Sequence, residues 1–136
     1  MATEAELPGG DVILVVDDEP SVRTPIVRSL RMKGYTVLEA NNGEHALQVM
    51  QEHRAPVHLV ISDVFMPEMK GTELAALLRS WYPGMRVLFI SGYSPEHIDS
   101  IGDESIEGIH LLAKPFSLDD LARRVREVLE SDWPQQ

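Results

Sequence analysis

The sequence predicts a three-layered α/β fold, a parallel five-stranded sheet with helices on both faces. Three observations predict it. Short apolar runs recur along the 136 residues, and stretches with apolar residues at helical spacing separate them. Three of these runs stop on residues able to do chemistry. Val12-Ile13-Leu14-Val15-Val16 stops on Asp17-Asp18-Glu19, Val57-His58-Leu59-Val60-Ile61-Ser62 on Asp63, and Ile109-His110-Leu111-Leu112-Ala113 on Lys114-Pro115. Consecutive parallel strands need crossover connections, which cover both faces of the sheet. Their carboxyl ends share one edge, outside which ligands bind.

The first strand is expected over 12–16. The first helix follows, with Val22, Ile26, Leu30 and the stem of Lys33 at helical spacing and Gly34 as its C-terminal glycine. Pro20 suits a first turn, whereas Pro25 removes an amide donor near the second and predicts a bent or delayed start. The second strand spans 35–39. After the Asn41-Asn42-Gly43 loop comes a helix carrying Ala46, Leu47, Val49 and Met50. The third strand spans 57–62. A loop over 65–71 then leads to a helix with Leu74, Leu77 and Leu78. The fourth strand spans 86–90 and runs into Ser91-Gly92-Tyr93, and the fifth spans 109–112. In the last helix Ser117 can cap the start, and Asp119 and Asp120 favour the positive end. Its apolar face is Leu118, Leu121, Val125, Val128 and Leu129.

The helix between the fourth and fifth strands is weakly written. Residues 96–103 hold only Ile98 and Ile101 as large apolar side chains, so a short or mobile fourth helix is expected. Strands 1, 3 and 4 are the most continuously apolar and belong in the centre. Strand 2, with Glu39, suits an edge. That gives the flavodoxin-like order 2-1-3-4-5.

Bulk properties narrow the function. The chain reads as one domain over 11–130, with a disordered lead over 1–10 and a tail or linker stub over 131–136. A net charge of -10, from 12 basic and 22 acidic residues, argues against a nucleic-acid surface and an anionic membrane. The absence of cysteine excludes disulfides and thiolate metal sites. No apolar stretch approaches the roughly 20 residues that span a bilayer. The acidic start, Met1 to Glu6, is unlike a signal peptide, so a cytoplasmic protein is expected.

The strand ends would gather three carboxylates and an ammonium into one pocket. Carboxylates a few ångströms apart repel, and one would stay protonated unless a cation neutralised them. Mg2+ fits best because it needs few protein carboxylates, and Mn2+ is an alternative. Asp18 and Asp63 are the expected direct ligands. Asp17 would hold a metal-bound water, and the backbone carbonyl of Phe65 could add a ligand. Asp63 is also a candidate nucleophile, because a carboxylate can accept a phosphoryl group. Lys114 would offset the added charge and Ser91 could donate a hydroxyl hydrogen bond. Taken singly, the acidic run is equally a solvated turn, Lys114 a surface lysine and Ser91 a turn serine. Asp63 at a second strand end tips the balance for the acidic run, and Pro115, which fixes the backbone after the strand, tips it for Lys114. None of the five histidines (His45, His53, His58, His97, His110) has the i, i+4 partner of a zinc helix site, and none is expected to bind metal.

In this order the residues resemble the receiver domain of two-component response regulators. The likeness covers about residues 11–130 and rests on Val15-Val16-Asp17-Asp18-Glu19-Pro20, Asp63 followed by Met66-Pro67 and Gly71, Ser91-Gly92, and Lys114-Pro115-Phe116. The stretch 87–130 looks especially like receivers attached to hybrid sensor histidine kinases. The resemblance implies phosphorylation of Asp63 from a phosphohistidine on a histidine kinase or phosphotransfer protein. It implies Asp17 and Asp18 as the acid pair, Ser91 as the switch hydroxyl and Lys114 as the phosphate-binding lysine. Self-phosphorylation from a donor and autodephosphorylation would be the only enzymatic acts. The output partner stays open, as does a phosphorylation-dependent dimer.

Family members often carry an aromatic residue three positions before the lysine, where this chain has Leu111. Glu19, Pro67 and Tyr93 would flank the pocket. Phe65 and Tyr93 together would restrict the attacking water and lengthen the phosphoryl lifetime. Competing readings are weaker. A haloacid-dehalogenase-type phosphotransferase would carry a second aspartate where Phe65 stands. A nucleotide or flavin binder would want a phosphate-cradling loop after strand 1, where the acidic run would repel phosphate. A pseudo-receiver, acting as a phosphorylation-independent interaction module, is the remaining alternative.

Overall fold

Runs of β-branched residues and leucine set the centre of the sheet, because side chains on both faces must be buried there. The computed structural model describes residues 11–53, 56–91 and 109–130. Its strands are β1 (Val12–Val16), β2 (Thr36–Ala40), β3 (Leu59–Asp63), β4 (Arg86–Ser91) and β5 (Ile109–Ala113). All pairings are parallel, in the order β2-β1-β3-β4-β5. The helices are α1 (Pro20–Met32), α2 (Gly43–Glu52), α3 (Gly71–Trp81) and α4 (Leu118–Glu130). The expected lead, the tail, Gly92, Tyr93, His97 and the weakly written helix over 96–103 lie outside the described residues. No described helix is long and apolar enough to cross a membrane.

Alternation along β1 divides the core. Ile13 and Val15 face one side and pack with Ile26, Val27 and Leu30 of α1 and Leu121, Val125 and Val128 of α4. Leu14 and Val16 face the other, with Ala46 and Met50 of α2 and Leu74 and Leu78 of α3. Each Val, Leu, Ile and Met side chain among them contributes about 1.5–3 kcal/mol on burial. A smaller cluster joins Val64, Ala75 of α3 and Val87 and Phe89 of β4, with Phe65 and Leu111 packed against it.

Local chemistry bounds the helices at Gly34 and Ser117 as the sequence predicts, and the structure adds a cap at Asn42. At Gly34, φ is 100°, and Gly34 N–H donates to Arg31 O (3.0 Å) while Tyr35 N–H donates to Leu30 O (3.3 Å). This Schellman arrangement needs the left-handed residue that glycine supplies. The Asn42 side chain caps α2 by accepting from His45 N–H at 2.7 Å. Ser117 Oγ caps α4 by accepting from Asp120 N–H at 2.9 Å.

Some details differ from expectation. α1 begins at Pro20 despite Pro25, which sits inside the helix on its exposed side, where the carbonyl left unpaired by the missing amide can meet water. Val27 joins the buried stripe, whereas Lys33 lies beyond the helix and is exposed. Leu77 and Leu118 are each 40% exposed, so α3 buries Ala75 instead, and α4 turns a narrower face inward. β2 runs one residue later than predicted, and β3 begins at Leu59, with Val57 and His58 just before it.

Candidate functional site

The parallel register carries five predicted residues to one edge. Val16 pairs with Ser62, Asp63 with Ile90, and Ser91 with Ala113, so Asp17, Asp18, Asp63, Ser91 and Lys114 all stand at or just past the carboxyl ends of strands. Asp17, Asp18 and Asp63 each offer a carboxylate oxygen, and the three oxygens lie within 4.8 Å of one another. Asp17 is fully buried, Asp63 half-buried and Asp18 exposed.

Each carboxylate is held differently. Asp17 Oδ1 accepts from Glu19 N–H at 2.9 Å, while the buried Oδ2 has no hydrogen-bond partner. Asp63 Oδ1 accepts from Phe65 N–H at 3.3 Å, and Oδ2 is 3.6 Å from Lys114 Nζ. The backbone N–H of Lys114 donates to Ser91 O at 2.8 Å, which ties β5 to β4 beneath the pocket. The peptide between Lys114 and Pro115 is cis.

Electrostatics show a site short of positive charge. Burial raises the Asp17 carboxyl above the usual range; the Glu19 amide opposes this and the charge of Asp63 adds to it. Burial likewise raises Asp63, although Lys114 and the Phe65 amide pull the other way. One ammonium does not offset three clustered acids. A buried carboxylate oxygen without a partner, beside two further carboxylates, suits a hard divalent cation with oxygen ligands. A thiolate or imidazole metal would find no matching donors in this cluster.

The loop after β3 brings the chain close beneath Asp63. Gly71 N–H donates to Val64 O at 2.8 Å, and a Cβ at Gly71 would collide with the Asp63 carbonyl oxygen. Only glycine permits that approach. Ser62 Oγ donates to the same carbonyl at 2.9 Å. Glu68 occupies the left-handed region at φ 71°, which lets Met69 N–H reach Pro67 O at 2.8 Å.

The remaining expected residues fall as follows. Ser91 is buried at the last position of β4. Glu19 and Pro67 are exposed beside the acidic pocket's two loops. The half-buried ring of Phe65 packs on the Val64–Phe89 cluster, as does Leu111, which pairs with Phe89 across the strands. Tyr93 lies outside the described residues. Among the histidines, the ring Nδ1 of His58 accepts from Val12 N–H (2.9 Å) and that of His45 from Asn41 N–H (3.1 Å), both backbone roles.

Sequence reasoning missed Arg23 and Ser62. Arg23 Nη1 donates to Asp17 O at 2.6 Å and its Nε to Glu39 Oε1 at 3.1 Å. Its position five residues beyond Asp18 carried no periodic signal. Ser62 was legible only as a polar residue inside an apolar run.

Comparison with known proteins agrees with this geometry. The family model of the response regulator receiver domain matches residues 13–126. The chain is 42% identical over 126 residues to the sensor kinase CckA of Brucella abortus, covering 92% of this chain and 13% of that protein. It is 32% identical over 117 residues to the response regulator receiver protein CpdR of the same organism, covering 86% of this chain and 95% of CpdR. So the chain spans a small part of one relative and nearly the whole of the other. Among solved structures, the receiver domain of the hybrid histidine kinase CckA matches with a TM-score of 0.74 at 39% identity, covering 88% of this chain and 99% of that one. TrrA of Thermotoga maritima, solved with Mg2+ and BeF, matches with a TM-score of 0.71 at 31% identity, covering 87% and 98%.

Proposed function

The chain belongs to the response regulator receiver domain family of two-component signalling, and from that premise we propose that it is a Mg2+-dependent phosphoacceptor. Asp63 is the acceptor. One observation carries the reading: Asp63 stands where the acid cluster and the only strand-end ammonium among the described residues meet, 3.6 Å from Lys114 Nζ. An Asp63 carboxylate oxygen forms a bond to phosphorus as the P–N bond of a phosphohistidine breaks, and the electron pair returns to the imidazole nitrogen. The product is an acyl phosphate on Asp63.

Asp18 and Asp63 would hold the cation directly, Asp17 through a bound water, with the Phe65 carbonyl as a further ligand. When bound, the cation lowers the repulsion between the carboxylate and the incoming phosphoryl oxygens. Lys114 leaves its contact with the carboxylate for the new phosphoryl oxygens. Ser91 turns its hydroxyl toward the same group, and its backbone bond to Lys114 couples the two strand ends. Autodephosphorylation by water would be the only other chemistry. Leu111, packed beside Phe89, occupies the position through which the change would reach the output surface.

The donor would be a histidine kinase or a histidine phosphotransfer protein, acting in the cytoplasm. The likeness to the CckA receiver supports a donor of the hybrid-kinase type. The test is incubation with Mg2+ and acetyl phosphate, or with beryllofluoride, using Asp63→Asn as control. A mass gain of one phosphoryl group, absent in the variant, is expected. No gain and no beryllofluoride response would point to a phosphorylation-independent interaction module.

A further inference from the structure

Arg23 joins three elements behind Asp17, which it holds through the backbone carbonyl. It stands on α1, its side chain only 16% exposed, and reaches the carbonyl of Asp17 just past β1 and the carboxylate of Glu39 on β2. The Asp17 carbonyl belongs to the peptide unit that links Asp17 to Asp18. That unit is planar, so fixing its oxygen fixes the bond leading into Asp18 as well as the one leaving Asp17. On its other side, Asp17 N–H is held by Ala40 O at 3.2 Å. The two neighbouring carboxylates therefore enter the pocket from one clamped peptide plane.

We propose that Arg23 is a positioning residue for cation binding, acting through the Asp17 carbonyl to aim the Asp17 and Asp18 carboxylates. This inference rests on the reading of the pocket as a divalent-cation site. The residue type fits the task. A guanidinium presents several donors in a rigid plane and can serve the carbonyl and Glu39 together, whereas a lysine ammonium is a single point on a flexible stem. The 2.6 Å bond is short, as expected when the donor is charged.

The sign of the effect separates this role from two others. Arg23 is a cation near a cation site, so charge alone would make its removal tighten Mg2+ binding. A pure α1–β2 staple would change stability and leave the affinity of the folded protein untouched. Positioning predicts weaker binding instead. Groups that orient metal ligands without touching the metal commonly alter affinity by about tenfold or more.

The experiment is calorimetric titration of Mg2+ into the wild-type chain, R23M, R23K and E39Q, at a temperature where circular dichroism shows each fully folded. R23M should weaken the dissociation constant about tenfold, with partial recovery in R23K. E39Q, which removes the ion pair but keeps the carbonyl bond, should bind almost as tightly as the wild type while melting at a lower temperature. Binding by R23M as tight as or tighter than the wild type would overturn the inference, as would equal weakening in E39Q and R23K. If R23M does not fold, the comparison of R23K with E39Q decides. Failure of the wild type itself to bind Mg2+ would overturn the cation reading beneath it, a result distinct from normal wild-type binding retained in the variants.

Discussion

Both ends of the sheet carry polar residues, and the two ends are held in different ways. At the amino end the backbone closes on itself. Thr36 N–H donates to Asp11 O (3.1 Å), His58 N–H to Val12 O (2.8 Å) and Arg86 N–H to His58 O (3.2 Å). The ring of His58 completes the set by accepting from Val12 N–H. At the carboxyl end, three acids crowd together, a buried Asp17 oxygen has no partner, and burial pushes two carboxyls upward. At the first end these bonds run among backbone groups and the His58 ring. The second end keeps an electrostatic imbalance that a proton or a bound cation would relieve, and such imbalances cluster where chemistry is done.

The largest test of this contrast is Asp63→Asn. It should abolish acetyl-phosphate labelling outright in intact-mass measurements, whereas His58→Ala at the other end should leave labelling intact. Labelling that survives in Asp63→Asn would remove the basis for assigning chemistry to this carboxylate.

Asp17→Asn comes next and should act on Mg2+ and stability in opposite directions. A carboxyl whose folded pKa is raised binds its proton more tightly in the folded state. Its contribution therefore favours folding at low pH and is lost as pH rises through the raised value. At neutral pH the metal-free wild type carries that penalty, and Asp17→Asn relieves it. Thermal melts without metal should show a higher Tm for the variant, with the gap shrinking as pH falls through the carboxylate range. Added Mg2+ should stabilise the wild type and have much less effect on the variant. A variant less stable than the wild type at neutral pH would show that the acidic edge is not strained.

Gly71→Ala probes how tightly the loop supports Asp63. The new methyl meets a backbone carbonyl that cannot rotate away, so a loss of about 2 kcal/mol in denaturant unfolding is expected. His58→Ala should cost about 1 kcal/mol in the same measurement by leaving Val12 N–H unpaired. The smallest effect is expected at Glu68, held at φ 71°. Glu68→Gly should stabilise by about 0.5 kcal/mol, the relief of left-handed strain slightly exceeding the added chain entropy. An unchanged unfolding midpoint would place no strain in that loop.

Much of this architecture is legible in the sequence. Strand order follows from which runs are continuously apolar, because central strands bury both faces, and Glu39 marks an edge. Gly34 and Ser117 are readable because caps depend on a few adjacent residues. Pro25 does not delay the start of α1, because its cost depends on whether the orphaned carbonyl meets water, a property of the surroundings. Leu77 misleads because helical spacing defines a stripe without saying how wide a stripe the neighbouring sheet and helix will cover.

By itself the sequence determined the alternation of elements, the residues at the strand ends and the kind of chemistry they could share. These follow from local periodicity and from the rule that parallel strands point the same way. Only the tertiary structure decided which oxygen of Asp17 stays unpartnered, that Asp63 lies within 3.6 Å of Lys114, and that Arg23 closes on the Asp17 carbonyl. Contacts between residues far apart in sequence depend on register, twist and packing, and no single segment encodes those.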